Sequence, residues 1–173
     1  MQTILIAAIT LNNKIAKHAL HNANWTSQAD KAFFKKETKK AGAVIFGETT
    51  YKVMTGIMPG VLNVIMTFQP EKYKDRAKKN ILEFTKSDPE EILENLKTRG
   101  YKKVVIAGGQ SIYSLFLEKN LADYIYLTVA PKIFGKGLQL FKEMDLDEMD
   151  LEFLAIKKLE KGEIVLKYKV KKN

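Results

Sequence analysis

The chain of 173 residues contains no cysteine, which removes disulfides, zinc–thiolate sites and thiol nucleophiles from consideration. Arginine is almost missing too: of 29 basic residues only Arg76 and Arg99 are arginine. Proteins that read base edges or stack on nucleotides depend on guanidinium groups, so the net charge of +9 does not point to nucleic acid. Lys167, Lys169 and Lys171 alternate along a final apolar segment, as on the solvated face of a strand. No apolar run approaches bilayer-spanning length, and the opening stretch Met1-Gln-Thr-Ile-Leu-Ile lacks the positive n-region of a signal peptide. Repeats, low-complexity tracts and an interdomain linker are absent as well. The expectation is one domain over residues 1–173, cytoplasmic, with a small-molecule partner and without membrane, nucleic acid or metal. Composition carries no signal for an oligomeric state.

What is present is an alternation of apolar β-type runs and helical patterns. Strands are predicted over 3–10, 43–46, 61–67, 81–85, 103–107 and 124–129. Helices are predicted over 27–40, 49–55, from Ser87 to Gly100, and over 110–117. Residues 11–24 and 69–80 read as polar connections. Two alternating segments, 151–158 and 163–170, flank Lys161-Gly162 and read as a closing hairpin. The pattern predicts an α/β fold: a mostly parallel central sheet flanked by helices, with an antiparallel C-terminal hairpin.

The most informative segment runs from Trp25 to Thr38. In the helix predicted there, Asp30, Phe33, Phe34 and Glu37 recur at three- and four-residue intervals and share one side. The two phenylalanines mark that side as buried, where an ionised carboxylate is costly unless a partner meets it. A structural role is available, since Ser27-x-x-Asp30 resembles a capping box and acids favour a helix start. Two strand-to-helix junctions supply further chemistry: Phe46-Gly47-Glu48-Thr49-Thr50-Tyr51 and Ala107-Gly108-Gly109-Gln110-Ser111-Ile112-Tyr113. Glycines allow close approach of backbone to a ligand, and helix N-termini offer free N–H groups to phosphate oxygens. Two such junctions in one sheet suit the two ends of a dinucleotide.

Taken in order, these pieces resemble dihydrofolate reductases over most of the chain. The resemblance rests on Ile6-Ala7-Ala8, Asn12–Ile15, Trp25-x-x-x-Ala29-Asp30-x-x-x-Phe34-Lys-x-x-Thr38 and Gly47-x-x-Thr50-Tyr51. It extends through Pro59-Gly60-x-x-Asn63, Gly108-Gly109-x-x-Ile112-Tyr113 and Tyr126-Leu127-Thr128. It implies NAD(P)H-dependent reduction of 7,8-dihydrofolate or a close dihydropterin, with hydride delivered to C6 and a proton to N5. Asp30 would grip the pterin amino edge with Thr128 beside it, Trp25 would wall the site, and the carbonyls of Ile6 and Ala107 would meet the opposite edge. Ala8, Lys31, Phe34, Met54, Met58 and Tyr113 would complete the substrate pocket. Ala8, Ile15 and Ala16 would line the nicotinamide. Gly47, Glu48, Thr49, Thr50 and Thr67 would hold the rest of the cofactor with Gly108, Gly109, Gln110, Ser111 and Ile112, the Gly108–Gly109 peptide being cis in this family.

Two departures qualify the resemblance. Val61 stands where the family places an arginine for folate's α-carboxylate, leaving Lys31 or Lys35 to substitute. Glu48 stands where a basic residue commonly meets the 2′-phosphate of NADPH, which makes NADH usable as well. The wider superfamily includes riboflavin-pathway pyrimidine reductases, so a phosphoribosylamino-uracil is the alternative substrate. A non-catalytic ligand-binding relative is the third reading.

Overall fold

β-branched and aliphatic runs with almost no interruption form strands buried on both faces, and these make the parallel heart of a sheet. The computed structural model describes residues 1–172. Its strands are β1 (Gln2–Thr10), β2 (Lys14–Ala16), β3 (Ala43–Gly47), β4 (Leu62–Met66) and β5 (Leu82–Thr85). They continue with β6 (Lys103–Ile106), β7 (Tyr124–Ala130), β8 (Leu138–Gln139), β9 (Leu151–Lys158) and β10 (Ile164–Val170). Helices are α1 (Gln28–Ala41), α2 (Glu48–Val53), α3 (Pro89–Thr98) and α4 (Gln110–Glu118). Eight strands form one sheet in the order β5-β4-β3-β6-β1-β7-β10-β9. The first six pair in parallel; β10 runs antiparallel to both β7 and β9.

Side-chain alternation along β1 explains the layers. Ile4 and Ile6 point to a core shared with Phe33 and Ala41 of α1, while Leu5, Ala7 and Ile9 point to a core shared with α3 and α4. Ile92 and Leu96 of α3 and Phe116 of α4 are the inward residues of that second layer. Helix α1 starts at Ser27, whose Oγ accepts from the Asp30 amide at 3.0 Å, and stops at Gly42 in the left-handed region.

The sequence reading differs from the structure in two connections. Residues 11–24 contain β2, which pairs with β8 from a stretch to which no element is assigned above. Strands of two and three residues have no period to detect; pairing creates them. Gly137 makes that pairing possible, since a Cβ there would lie 2.1 Å from the Ala16 carbonyl oxygen. Residues 69–80 contain a 3₁₀ helix, Pro70–Arg76, anchored by buried Tyr73, whose ring stacks on Phe84 with centroids 4.5 Å apart. Among the described residues no helix is long and apolar enough to cross a membrane.

Candidate active site

The carboxyl ends of β1, β3 and β6 lie side by side, and the chain leaves two of them through the glycine junctions. The Gly47 amide donates to the Gly108 carbonyl at 2.7 Å, which stitches the junctions together. A Cβ on Gly47 would stand 2.9 Å from Ile112 Cγ1, and one on Gly109 would stand 3.1 Å from Thr50 Oγ1. These glycines are therefore required by the approach of α2 and α4 to each other. The Gly108–Gly109 peptide is cis.

A groove of about 1100 Å³ crosses these ends. Its middle is walled by Ala8, Ile15 and Ala16 from β1 and β2, with Ala107 at the end of β6. The β2–β8 pair holds the loop that carries Ile15 and Ala16, and the Asn12 amide fastens the same loop to the Phe134 carbonyl at 2.8 Å. Gly47, Glu48, Thr49, Thr50 and Thr67 line one arm. Gly109, Gln110, Ser111 and Ile112 line it from α4, with Phe68, Lys86 and Ser87 at its far end. Trp25, Lys31, Met54, Met58 and Tyr113 line the other arm. Gly108 lies behind the wall. Phe34, one turn on from Asp30, is half-buried and packs against the same core cluster as Met54, Met58 and Ala107. Ile6 likewise sits below the wall, and its carbonyl already accepts from the Tyr113 hydroxyl at 2.7 Å.

Asp30 is 8% exposed, in the first turn of α1. Burial pushes its carboxyl above the usual carboxylate range. The hydroxyls of Thr128 and Thr26 oppose that rise, the negative charge of Glu163 adds to it, and the Lys31 ammonium opposes it. Thr128 Oγ1 and Trp25 Nε1 are buried, and neither completes a hydrogen bond of ordinary geometry with a protein group. Unpaired buried polar atoms are rare, and with Thr128 beside Asp30 and Trp25 on the groove wall they suit a polar ligand. Trp25 is held edge-on against Phe134 with ring centroids 5.3 Å apart. Tyr113 is pushed up in pKa, first by its burial and then by the charge of Asp30, so it remains a phenol that donates.

Glu163 was invisible to pattern reading. It is 3% exposed and accepts from the Ser27 amide at 2.9 Å and from the Ser27 hydroxyl. Its only sequence signal is parity: counting back from buried Val165, residue 163 falls on the inward face of the hairpin.

The far arm differs from the expectation of a free carboxylate. Glu48 is drawn down to about 2 by Lys52, whose ammonium lies 2.5 Å away, and by hydroxyl donors from Thr67 and Tyr73. Its oxygens are taken and its charge is balanced. No arginine lines the groove: Arg99 forks onto Glu83 at 2.8 and 2.9 Å, and Arg76 is exposed on the 3₁₀ helix. Val61 is buried in the α1-side core. Lys31 is the cation on the Asp30 arm; Lys35, the other expected substitute, is exposed away from it. Among the described residues no three His, Cys, Asp or Glu side chains are grouped to hold a metal.

A mostly parallel sheet with a long groove over its carboxyl edge and a buried acid under one arm is the architecture of dihydrofolate reductase-like proteins. The family model described as dihydrofolate reductase matches residues 2–167, and the chain belongs to that family. A curated relative, the uncharacterized protein YwjB of Bacillus subtilis (strain 168), is 25% identical over 151 residues, 83% of this chain and 84% of that protein. The fold is shared with a pyrimidine reductase-like protein from Corynebacterium diphtheriae: TM-score 0.79, 20% identity, 99% of this chain and 92% of the other. It is shared too with a Thermotoga maritima diaminohydroxyphosphoribosylaminopyrimidine deaminase/5-amino-6-(5-phosphoribosylamino)uracil reductase. That match has a TM-score of 0.78 and 19% identity, and covers 98% of this chain but 56% of the longer protein.

Proposed function

We propose that this protein is a nicotinamide-dependent reductase of a polar nitrogen heterocycle, and that the heterocycle is a pyrimidine carrying a phosphoribosyl group. The observation that carries the proposal is Asp30, buried beside the Thr128 hydroxyl under one arm of a two-armed groove that Trp25 also lines. A carboxylate there accepts from ring N–H and amino groups, and burial raises its affinity for a proton above that of an ordinary carboxylate.

The choice of pyrimidine rests on the cation. Lys31 is a point charge, suited to a phosphate, whereas a glutamate tail is best met by the fork of an arginine, and none lines the groove. Reductases of phosphoribosylamino-uracil with this fold support the same choice. Dihydrofolate is the second reading, favoured by Asp30 lying five residues after Trp25 on the family's helix and by the family match itself.

NADPH is the proposed cofactor, and it supplies the hydride. Ala8, Ile15 and Ala16 would flank its nicotinamide, and the backbone N–H groups opening α4 would meet its pyrophosphate. Phe68, 96% exposed at the far end, offers a flat face to a purine. NADH remains usable on this reading, because the balanced Glu48–Lys52 pair neither repels nor strongly attracts a 2′-phosphate.

The test is oxidation of NADPH and NADH with four acceptors: 5-amino-6-(5-phosphoribosylamino)uracil, its dephosphorylated form, dihydrofolate and a tail-free dihydropterin. Turnover of the phosphorylated pyrimidine well above the rest is expected. Preference for dihydrofolate would transfer the assignment to the second reading. Oxidation with none of the four would reject both.

A further inference from the structure

We propose that Glu163 is the positioning residue of this site: from the C-terminal hairpin its carboxylate holds Ser27 at the start of α1 and faces Asp30 with a second negative charge. The inference rests on the reading above that Asp30 is the group that meets the heterocycle.

The geometry is a relay of three residues. Glu163 Oε1 accepts from the Ser27 amide at 2.9 Å, and Oε2 accepts from the Ser27 hydroxyl. The same hydroxyl oxygen accepts from the Asp30 amide at 3.0 Å. Ser27 thus donates twice to the hairpin and accepts once from the helix, and residues 136 positions apart become one rigid unit. A helix cap does not need this. Serine alone satisfies the first turn, and a water or an amide would serve its hydroxyl at less cost than a buried acid.

Beyond the two hydrogen bonds from Ser27, Glu163 has no cationic partner: among the described residues no lysine, arginine or histidine lies within ion-pair distance of it. Desolvating a carboxylate without a cation lowers stability. Through the Ser27 relay Glu163 stands near Asp30, whose carboxyl its negative charge pushes up. The other groups facing Asp30 are Lys31 from its own helix, the Tyr113 phenol from α4, and the hydroxyls of Thr26 and Thr128. Lys31 is the one cation in that set, so Glu163 offsets it and Asp30 keeps its proton to higher pH.

Glu163→Gln in the full chain keeps size and an acceptor for the Ser27 amide while removing the charge. The first readout is the Asp30 carboxyl titration by carbon NMR in ligand-free protein, which needs no knowledge of the substrate. The expected result is a midpoint shifted to lower pH than in the wild type. In the second readout, the alkaline limb of kcat/KM for the heterocycle the protein reduces moves the same way, with the KM for the nicotinamide cofactor unchanged. Glu163→Asp, which keeps the charge, restores the limb toward wild type. Glu163→Met is the second neutral variant. An unmoved Asp30 midpoint in a folded neutral variant, or failure of both neutral variants to fold, would overturn the proposal. Absence of reductase activity with every heterocycle would instead reject the functional reading and leave the titration as the judge of Glu163.

Discussion

The Tyr113 hydroxyl donates to the Ile6 carbonyl at 2.7 Å, and this bond fastens the first turn of α4 beneath β1. Gly108 enforces the fit, since a Cβ on it would lie 2.9 Å from the Tyr113 ring. Tyr113→Phe leaves the buried Ile6 carbonyl without that donor and should cost about 1–3 kcal/mol of stability. Urea unfolding checks it: the midpoint should fall with the slope unchanged. Gly108→Ala, at φ +100°, should destabilise more than Tyr113→Phe in the same assay.

Asp30→Asn separates activity from stability. Loss of the acid should lower kcat at neutral pH by roughly a hundredfold or more. Stability should move the other way. With its folded pKa raised, Asp30 binds a proton more tightly folded than unfolded, so its contribution falls as pH rises from the ordinary carboxylate value through the raised one. The variant should therefore be more stable than wild type at about pH 8, with the advantage shrinking toward about pH 4. Chemical denaturation at both pH values reads the difference.

Glu48 has the opposite sign. Its pKa, drawn from 4.5 to about 2, gives stability that is complete above 4.5 and lost as pH falls through about 2. Glu48→Gln should flatten the acid limb of a Tm–pH curve over that window. It should change the ratio of KM for NADPH and NADH by no more than about threefold, because Lys52 already balances the charge. Lys52→Met should have the larger effect, weakening NADPH relative to NADH by exposing the carboxylate's charge.

Lys31→Met tests the substrate arm. For a phosphorylated pyrimidine it should raise KM by roughly tenfold, the scale of one charge-assisted hydrogen bond, and leave the dephosphorylated compound unchanged. Equal effects on both would show that Lys31 meets the ring and not the phosphate.

Much of this arrangement is legible in the sequence because it rests on local periodicity. Phe33 and Asp30 share a side of α1 at helical spacing, Ser27 and Gly42 mark its ends, and the glycine junctions follow apolar runs too short for helices. What depends on distant partners is not legible. Phe34 looks equivalent to Phe33 by spacing, yet Phe33 is buried in the core and Phe34 only half-buried against it. Glu48 reads as a free acid until Thr67 and Tyr73, 19 and 25 residues on, join Lys52 of its own helix in holding it. Val61 reads as a missing arginine, but it packs in the core beside Ile65 and Leu82. Glu163 carries only its parity with Val165 as a local mark, because its partner lies 136 positions away.

Strand order adds a consequence for how the molecule is made. β10, the last strand in chain order, lies between β7 and β9, so β9 is synthesised first yet has no place in the sheet until β10 arrives. Until then β7 keeps an open edge, and Phe153 and Ile156, more than half exposed even in the finished fold, have no sheet to rest on. The same arrival brings Glu163 to Ser27. On a ribosome, the start of the acid-bearing helix is therefore secured by a segment that emerges 136 residues after it.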